Sequence, residues 1–194
     1  MPTESKRFDV ANAARLDAPE RLEFLPPAEV MAALAIQPND SIADIGPGTG
    51  YFALPMAGLA PNGAVYAVDA QDGMLDLLRK KITTEKNIHL VHAEGDSTSL
   101  KAASCSLALL ANIWHEFEDH GRIVAEVKRI LKPGGRVAIL DWRPDVERVA
   151  GPQLDHRLPA EDAMRALANA GFSAIRSSNI GLYSWLVQAS FGGV

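Results

Sequence analysis

A single cysteine, Cys105, stands in 194 residues. Neither a disulfide framework nor a cluster of metal-binding thiolates can be built from one thiol. Cys105 falls in the apolar run 104–111 and reads as a small buried core residue. No apolar stretch approaches the eighteen residues of a membrane-spanning helix, and the opening Met1-Pro2-Thr3-Glu4-Ser5-Lys6-Arg7 lacks the apolar centre of a secretory signal. The expectation is a cytoplasmic chain without a membrane span. Basic excess is missing too. Lys and Arg number 19 against 24 Asp and Glu, a net charge of -5, which weakens long-range attraction to a phosphate backbone and speaks against a nucleic-acid partner. The local run Arg79-Lys80-Lys81 reads as a solvated helix face. Internal repeats and low-complexity segments are absent. With 47% hydrophobic residues, the chain is long enough for one sizeable core and too short for two ordinary domains.

Apolar periodicity alternates between strand and helix almost throughout, which predicts an α/β fold. Strands are expected near 41–46, 64–69, 88–93, 106–112, 135–142, 173–180 and 183–190, and helices near 27–36, 50–59, 72–85, 117–132 and 160–170. The helix from Phe117 turns Val124, Val127 and Leu131 inward and leaves Glu118, Arg122, Glu126 and Arg129 on the wet face. Gly171 ends the last helix, and a hairpin near Gly181 joins the last two strands. Residues 1–24 carry Phe8, Val10, Leu16 and Leu22 among many charges and read as a helical arm, with residues 25–194 as the main domain.

The densest signal is Ser41-Ile42-Ala43-Asp44-Ile45-Gly46-Pro47-Gly48-Thr49-Gly50-Tyr51-Phe52, followed nineteen residues after its last glycine by Asp69, which ends a second apolar run. A buried strand, a glycine turn, a helix start and a carboxylate at the next strand's tip make a nucleoside-binding crevice. The dinucleotide spacing G-x-G-x-x-G closes backbone amides on a pyrophosphate, but here the third glycine comes one residue early and Tyr51 fills its slot. Asp44, two residues upstream, offers charge to an amine rather than to a phosphate, and Asp69 can accept both hydroxyls of a ribose.

A second carboxylate, Asp96, follows the third strand within Glu94-Gly95-Asp96-Ser97, and Arg129-Ile130-Leu131-Lys132-Pro133-Gly134-Gly135-Arg136-Val137 closes a helix and opens a strand. In this order the features resemble the class I S-adenosylmethionine (SAM) dependent methyltransferases, nearest the group of ubiquinone and menaquinone biosynthesis, over about residues 24–180. The resemblance implies a three-layer Rossmann-like sandwich around a mostly parallel seven-stranded sheet with an antiparallel last strand. It implies SAM as cofactor, held by Asp44, Gly46, Gly48, Gly50, Asp69, Ala70, Met74, Gly95, Asp96, Ser97 and Asn112, with Asp96 receiving the adenine amine. By family analogy the arm is a lid over the acceptor. Its removal is expected to leave the cofactor site assembled, because the glycines and acids all lie later in the chain.

Ligands of open α/β sheets bind beyond the carboxyl ends of the strands, so the chemistry belongs to the loops after the fourth and fifth strands. The first, Asn112-Ile113-Trp114-His115-Glu116-Phe117-Glu118-Asp119-His120, superficially suggests a zinc helix. H-E-x-x-H needs its second histidine four residues on, and here it is five, so no metal site is expected. His89 and His92 lie three apart on one strand, face opposite sides and cannot share a metal. His115 reads either as a general base or as a helix-capping, pocket-lining residue. Trp114 and Tyr51 read as aromatic pocket walls, with core packing the alternative for Trp114. The second loop, after Asp141, is long and rich in charge and proline, and supplies Asp141, Trp142, His156 and Arg157 as acceptor-side candidates. Arg15 stands for the arm, with Asp17 and Arg21 behind it.

Two absences narrow the implied chemistry. Ala111-Asn112-Ile113-Trp114 is not the Asn/Asp-Pro-Pro-aromatic motif of enzymes that methylate exocyclic amines of nucleic acids or protein glutamine, and one cysteine disfavours arsenite methylation. A small-molecule acceptor with an oxygen, carbon, sulfur or nitrogen nucleophile remains. The protein would mainly have to align that nucleophile in line with the S–CH3 bond, at about 3 Å. A non-catalytic SAM-binding regulator and a nicotinamide oxidoreductase are the alternatives, the latter opposed by Tyr51.

Overall fold

The structure, a computed structural model, describes residues 8–93, 96–147 and 151–192. Its seven strands are β1 (Ser41–Ile45), β2 (Ala64–Asp69), β3 (Ile88–His92), β4 (Cys105–Ala111), β5 (Leu131–Trp142), β6 (Ser173–Ile180) and β7 (Ser184–Ser190). They form one sheet in the order β3-β2-β1-β4-β5-β7-β6. Every pairing is parallel except those of β7, which runs antiparallel to both β5 and β6. This is the sandwich expected from sequence.

Why the central strands sit inside is legible in their composition. Residues 107–111 of β4 are all buried, as a parallel strand covered on both faces requires. Alternate residues feed two cores. Ile42, Val65, Leu107, Leu109 and Leu140 face α2 (Pro27–Leu34), α3 (Ala53–Leu59) and α4 (Asp72–Lys81) through Leu34, Met56 and Leu78. Ala43, Leu110, Val137, Ile139 and Val187 face α5 (His120–Ile130) and α6 (Ala160–Asn169) through Ile123, Val127 and Leu167. Each large aliphatic side chain buried this way contributes about 1.5–3 kcal/mol.

Several boundaries shift for local reasons. α3 starts at Ala53 rather than 50 because Gly46, Gly48 and Gly50 all hold positive φ. α5 starts at His120 rather than 117, because Trp114–Glu116 forms a separate 3-10 turn and the Asp119 carboxylate caps the helix by accepting from the Arg122 N–H. α2 and α4 stop earlier than expected, at Leu34 and Lys81. β5 begins at Leu131, four residues early. Gly134 donates to the Phe191 carbonyl and Phe191 donates back to Gly135, so the Pro-Gly-Gly stretch joins the sheet instead of turning outside it. Gly171 ends α6 as expected, at φ 84, with Phe172 donating to the Leu167 carbonyl. Cys105 is fully buried in the core.

Residues 8–24 form a 3-10 helix, Val10–Asp17, and α1 (Arg21–Phe24). Ala18 precedes Pro19 and is extended (ψ 134), which breaks the arm in two. Val10 lies over Gly73 of α4, and Leu16 over Gly48 of the glycine turn. Among the described residues no helix is long and apolar enough to cross a membrane.

Candidate functional site

The chain leaves β1 toward β2 on one side, while β4 lies on the other, so a crevice opens above their carboxyl ends. Asp44 sits at its floor, 1% exposed, and its Oδ2 has no hydrogen-bond partner among the described residues. Burial, reinforced by the charge of Asp69, raises its carboxyl to about 7. Asn112, just past β4, is held at φ 58 with its N–H on the Leu140 carbonyl at 2.7 Å, and its Oδ1 is a second buried acceptor without a partner among the described residues. Leaving such a group unsatisfied costs about 1–3 kcal/mol. Two orphaned acceptors at one strand-end crevice call for a ligand that donates.

The glycine turn gives that ligand access. A Cβ at Gly48 would meet a single neighbour, Leu16 Cδ1 of the arm at 3.1 Å, so this face of the turn is open apart from the arm. At Gly50 the demand is for packing, since a Cβ would run into Leu78 Cδ1. Asp69 ends β2 with Oδ1 accepting from the Gln71 N–H at 2.9 Å, and Ala70 beside it is half-buried. Met74 is buried in the first turn of α4. Asp96 lies 3.9 Å from Arg122, and the Ser97 hydroxyl accepts weakly from Ser99. Gly95 lies outside the described residues.

His115 and Asp141 come together from the loop after β4 and the end of β5. The Asp141 carboxylate accepts from the His115 backbone N–H and contacts His115 Nδ1, each at 2.9 Å, and also accepts from the Trp142 N–H at 2.7 Å. The two side chains are 10% and 2% exposed. Burial alone would lower the imidazole pKa, but the Asp141 hydrogen bond and charge, helped by Glu116, outweigh it and raise the value. With Nδ1–H directed at a carboxylate, the neutral ring carries its lone pair on Nε2. Glu116, which the sequence reading passed over, joins them. Burial, opposed by His115 and reinforced by Asp141, raises its carboxyl to about 7, and it accepts the backbone N–H of Phe8 in the arm. In the sequence Glu116 shows only as the second residue of a His-Glu pair whose spacing to the next histidine does not fit a zinc helix.

The remaining acceptor-side candidates scatter. Trp114 is fully buried in the core beneath α5, stacked on His120 at 4.0 Å, so it is packing rather than wall. Tyr51 donates its phenol to the Leu25 carbonyl at 2.7 Å and underlies the arm. Trp142 is covered by Phe24 of α1, at 5.6 Å between rings. Arg157 spends its guanidinium on the carbonyls of Pro152, Arg143 and Val146, holding its own loop closed. His156 and Arg15 are exposed. Asp17 accepts from Thr49 and Lys81, tying the arm to the glycine turn and α4. His120 contacts the Trp114 carbonyl, His89 stacks on Tyr66 and His92 pairs with Asp72. No group of these side chains among the described residues could hold a metal ion.

A family profile described as a methyltransferase domain matches residues 43–139, from β1 and its glycine turn through Asn112 and His115 into β5. The chain belongs to the class I SAM-dependent methyltransferases. A demethylmenaquinone methyltransferase of Deinococcus radiodurans is 30% identical over 168 residues, 84% of this chain and 64% of that one. A ubiquinone/menaquinone biosynthesis C-methyltransferase of Syntrophotalea carbinolica is 33% identical over 110 residues, 56% of this chain and 46% of that one. The chain thus spans about half to two thirds of the length of these curated relatives. Among solved structures, a SAM-dependent methyltransferase from Aquifex aeolicus superposes with a TM-score of 0.89 at 26% identity, covering 95% of this chain and 100% of that one.

SAM is the cofactor of this methyltransferase, and the donor set suits it. Asp44 Oδ2 and Asn112 Oδ1 are acceptors fit for an ammonium group, Asp69 is an acceptor fit for ribose hydroxyls, and the open face of Gly48 admits a ligand against the backbone.

Proposed function

We propose that the chain transfers a methyl group from SAM to a small, quinone-related ring acceptor by in-line displacement, with His115 as general base. The observation that carries this reading is the His115–Asp141 pair beside the crevice. When bound, SAM supplies an electrophilic methyl on a sulfonium. Asp44 and Asn112 hold its ammonium, and Asp69 its ribose. A ring carbon or hydroxyl arrives protonated at neutral pH, so a base near its own pKa is needed. His115 Nε2 takes that proton while Asp141 keeps Nδ1–H fixed and stabilises the imidazolium formed. Charge is dispersed during transfer, which a poorly hydrated site favours, and the arm supplies cover through Leu16 and Phe8. The relatives named for demethylmenaquinone support a quinone-related ring as the acceptor. The acidic balance supports a small molecule over a nucleic acid, and a site within the cytoplasm is part of the same reading.

Turnover with hydroquinone and phenol acceptors, read as S-adenosylhomocysteine formed, tests the proposal. Ring methylation with the wild-type chain is expected. SAM binding without turnover on any ring acceptor would favour the regulatory alternative, and binding of NAD in preference to SAM would favour the oxidoreductase.

A further inference from the structure

Phe8, where the described arm begins, is held by its backbone. Its N–H is accepted by the Glu116 carboxylate, and its carbonyl accepts from Gln71 Nε2 at 3.0 Å. The side chain is half-buried and packs in neither of the two cores among the described residues, so these hydrogen bonds, rather than apolar burial, fix its place.

The two partners of Phe8 belong to opposite walls of the crevice. Gln71 follows β2 and is locked beside Asp69, whose Oδ1 accepts its backbone N–H at 2.9 Å. Glu116 ends the 3-10 turn after β4, next to His115. In the sheet, β2 and β4 flank β1. Neighbouring strands stand about 4.8 Å apart, so the two walls are about 10 Å from each other, a span that one peptide closes when a Glu and a Gln reach in to it from either side. The Phe8 peptide therefore crosses the crevice over the end of β1, between the acid offered to the ribose and the base offered to the acceptor.

Glu116 is poorly placed for stability alone. Its carboxyl is largely removed from water and faces the charges of Asp141 and Asp69, relieved by His115, while the charge of Arg157 reaches His115. A carboxylate buried among other acids costs stability unless a partner meets it, and the partner here is the arm. Its use is in confinement. An acceptor ring that reaches His115 lies beneath the Phe8 peptide, and closing that peptide down restricts the angles at which the ring's nucleophile can face the base and the methyl group.

We propose that Glu116 and Gln71 are positioning residues for the methyl acceptor: by clasping the Phe8 peptide from the two walls of the crevice, they confine the acceptor ring between the arm and His115. The inference rests on the reading of His115 as the base that meets a ring acceptor. It gives the arm two working ends, Phe8 for the acceptor and Leu16 with Asp17 for the glycine turn.

Steady-state methyl transfer to a hydroquinone, calorimetric SAM binding and amide hydrogen exchange on the full chain test it, with KM read on the plateau above the acid limb of the pH profile. Glu116→Ala removes the acceptor of the Phe8 N–H and should raise the hydroquinone KM about tenfold, the loss of one charge-assisted hydrogen bond, while SAM affinity stays within about twofold. Glu116→Gln keeps an oxygen for that N–H and should recover most of the KM. Both variants lose the charge that helps raise the His115 pKa, so the acid limb should move to lower pH in both, and KM and pH profile report separate roles. Gln71→Ala should raise KM as Glu116→Ala does and leave the acid limb in place, because no charge is removed. The Phe8 amide should be protected from exchange in the wild type and exposed in Glu116→Ala, with core amides still protected. A KM that moves equally in Glu116→Ala and Glu116→Gln, or stays fixed in Gln71→Ala, would overturn the proposal. So would parallel weakening of SAM and hydroquinone by Glu116→Ala, the mark of a general loosening. Absence of wild-type turnover on every ring acceptor would instead overturn the acceptor reading itself, and with it the role given to the clasp.

Discussion

Asp141 determines what His115 can do. By occupying Nδ1 it leaves Nε2 as the ring's proton acceptor, and by its charge it raises the imidazole pKa against the pull of burial. His115→Ala is therefore expected to lower turnover about 10²–10⁴-fold with SAM affinity unchanged; an effect confined to the acceptor's KM would make it a pocket wall. The pH dependence has a definite sign. In the proposed role the neutral imidazole is the base, so kcat/KM climbs with pH through the raised pKa. Asp141→Asn removes the carboxylate that raises it, and the acid limb of the pH–rate profile should move to lower pH while the plateau falls, because the tautomer is no longer fixed. At the cofactor side, Asp69→Ala removes the proposed ribose acceptor, and each charged hydrogen bond lost should weaken SAM by about 1.5–3 kcal/mol. Calorimetry on the folded variant checks this, and unchanged affinity would remove Asp69 from the ribose site.

Two elements hold this loop and its cover in place. α5 starts directly behind the His115 turn, where the Asp119 carboxylate accepts the Arg122 N–H. Asp119→Ala should cost about 1 kcal/mol, read as a lower urea midpoint with an unchanged slope. The arm is the second element. From the sequence, removal of residues 1–24 was expected to spare the cofactor site. The contacts of Leu16 with Gly48 and of Asp17 with Thr49 alter that expectation, because the arm is part of the glycine turn's surroundings. Truncation should weaken SAM as well as acceptor methylation, and SAM affinity equal to that of the full chain would return the arm to a purely acceptor-side role.

At the scale of the whole molecule, the buried acids make stability depend on pH. Asp44 and Glu116 are raised to about 7 from ordinary values of 3.8 and 4.5, in each case chiefly by burial. Between those limits the folded chain retains protons that the unfolded chain has released, so stability falls as pH rises from about 4 to about 7. His115, also raised, adds loss of the same sign as pH passes through its folded value. Glu126, lowered to about 2 by its Arg129 hydrogen bond, acts below this window. The cofactor-free protein should lose roughly 1 kcal/mol per group per pH unit, or about 2–4 °C in Tm. Asp44→Asn should flatten the slope. SAM should flatten it too, because its ammonium favours ionised Asp44. A Tm that rises steadily from pH 5 to 7 would contradict the assignment.

The sequence by itself determined the sheet, the crevice and the acids around it, because these follow from local chemistry. Apolar runs of strand length, glycines that permit positive φ at 46, 48 and 50, and carboxylates placed at strand ends are all read along the chain, and the order of elements then places the switch point between β1 and β4. Tertiary structure alone decided how the side chains are spent. His115 meets Asp141 across 26 residues. Phe8 of the arm reaches Glu116, and Tyr51 turns from a possible pocket wall into a support for Arg21. Trp114, open to either wall or packing from sequence, goes to the core, and Arg157, an acceptor-side candidate, is taken up by its own loop. A side chain's role depends on which distant partner satisfies its polar atoms once water is excluded, and sequence spacing carries no record of that partner.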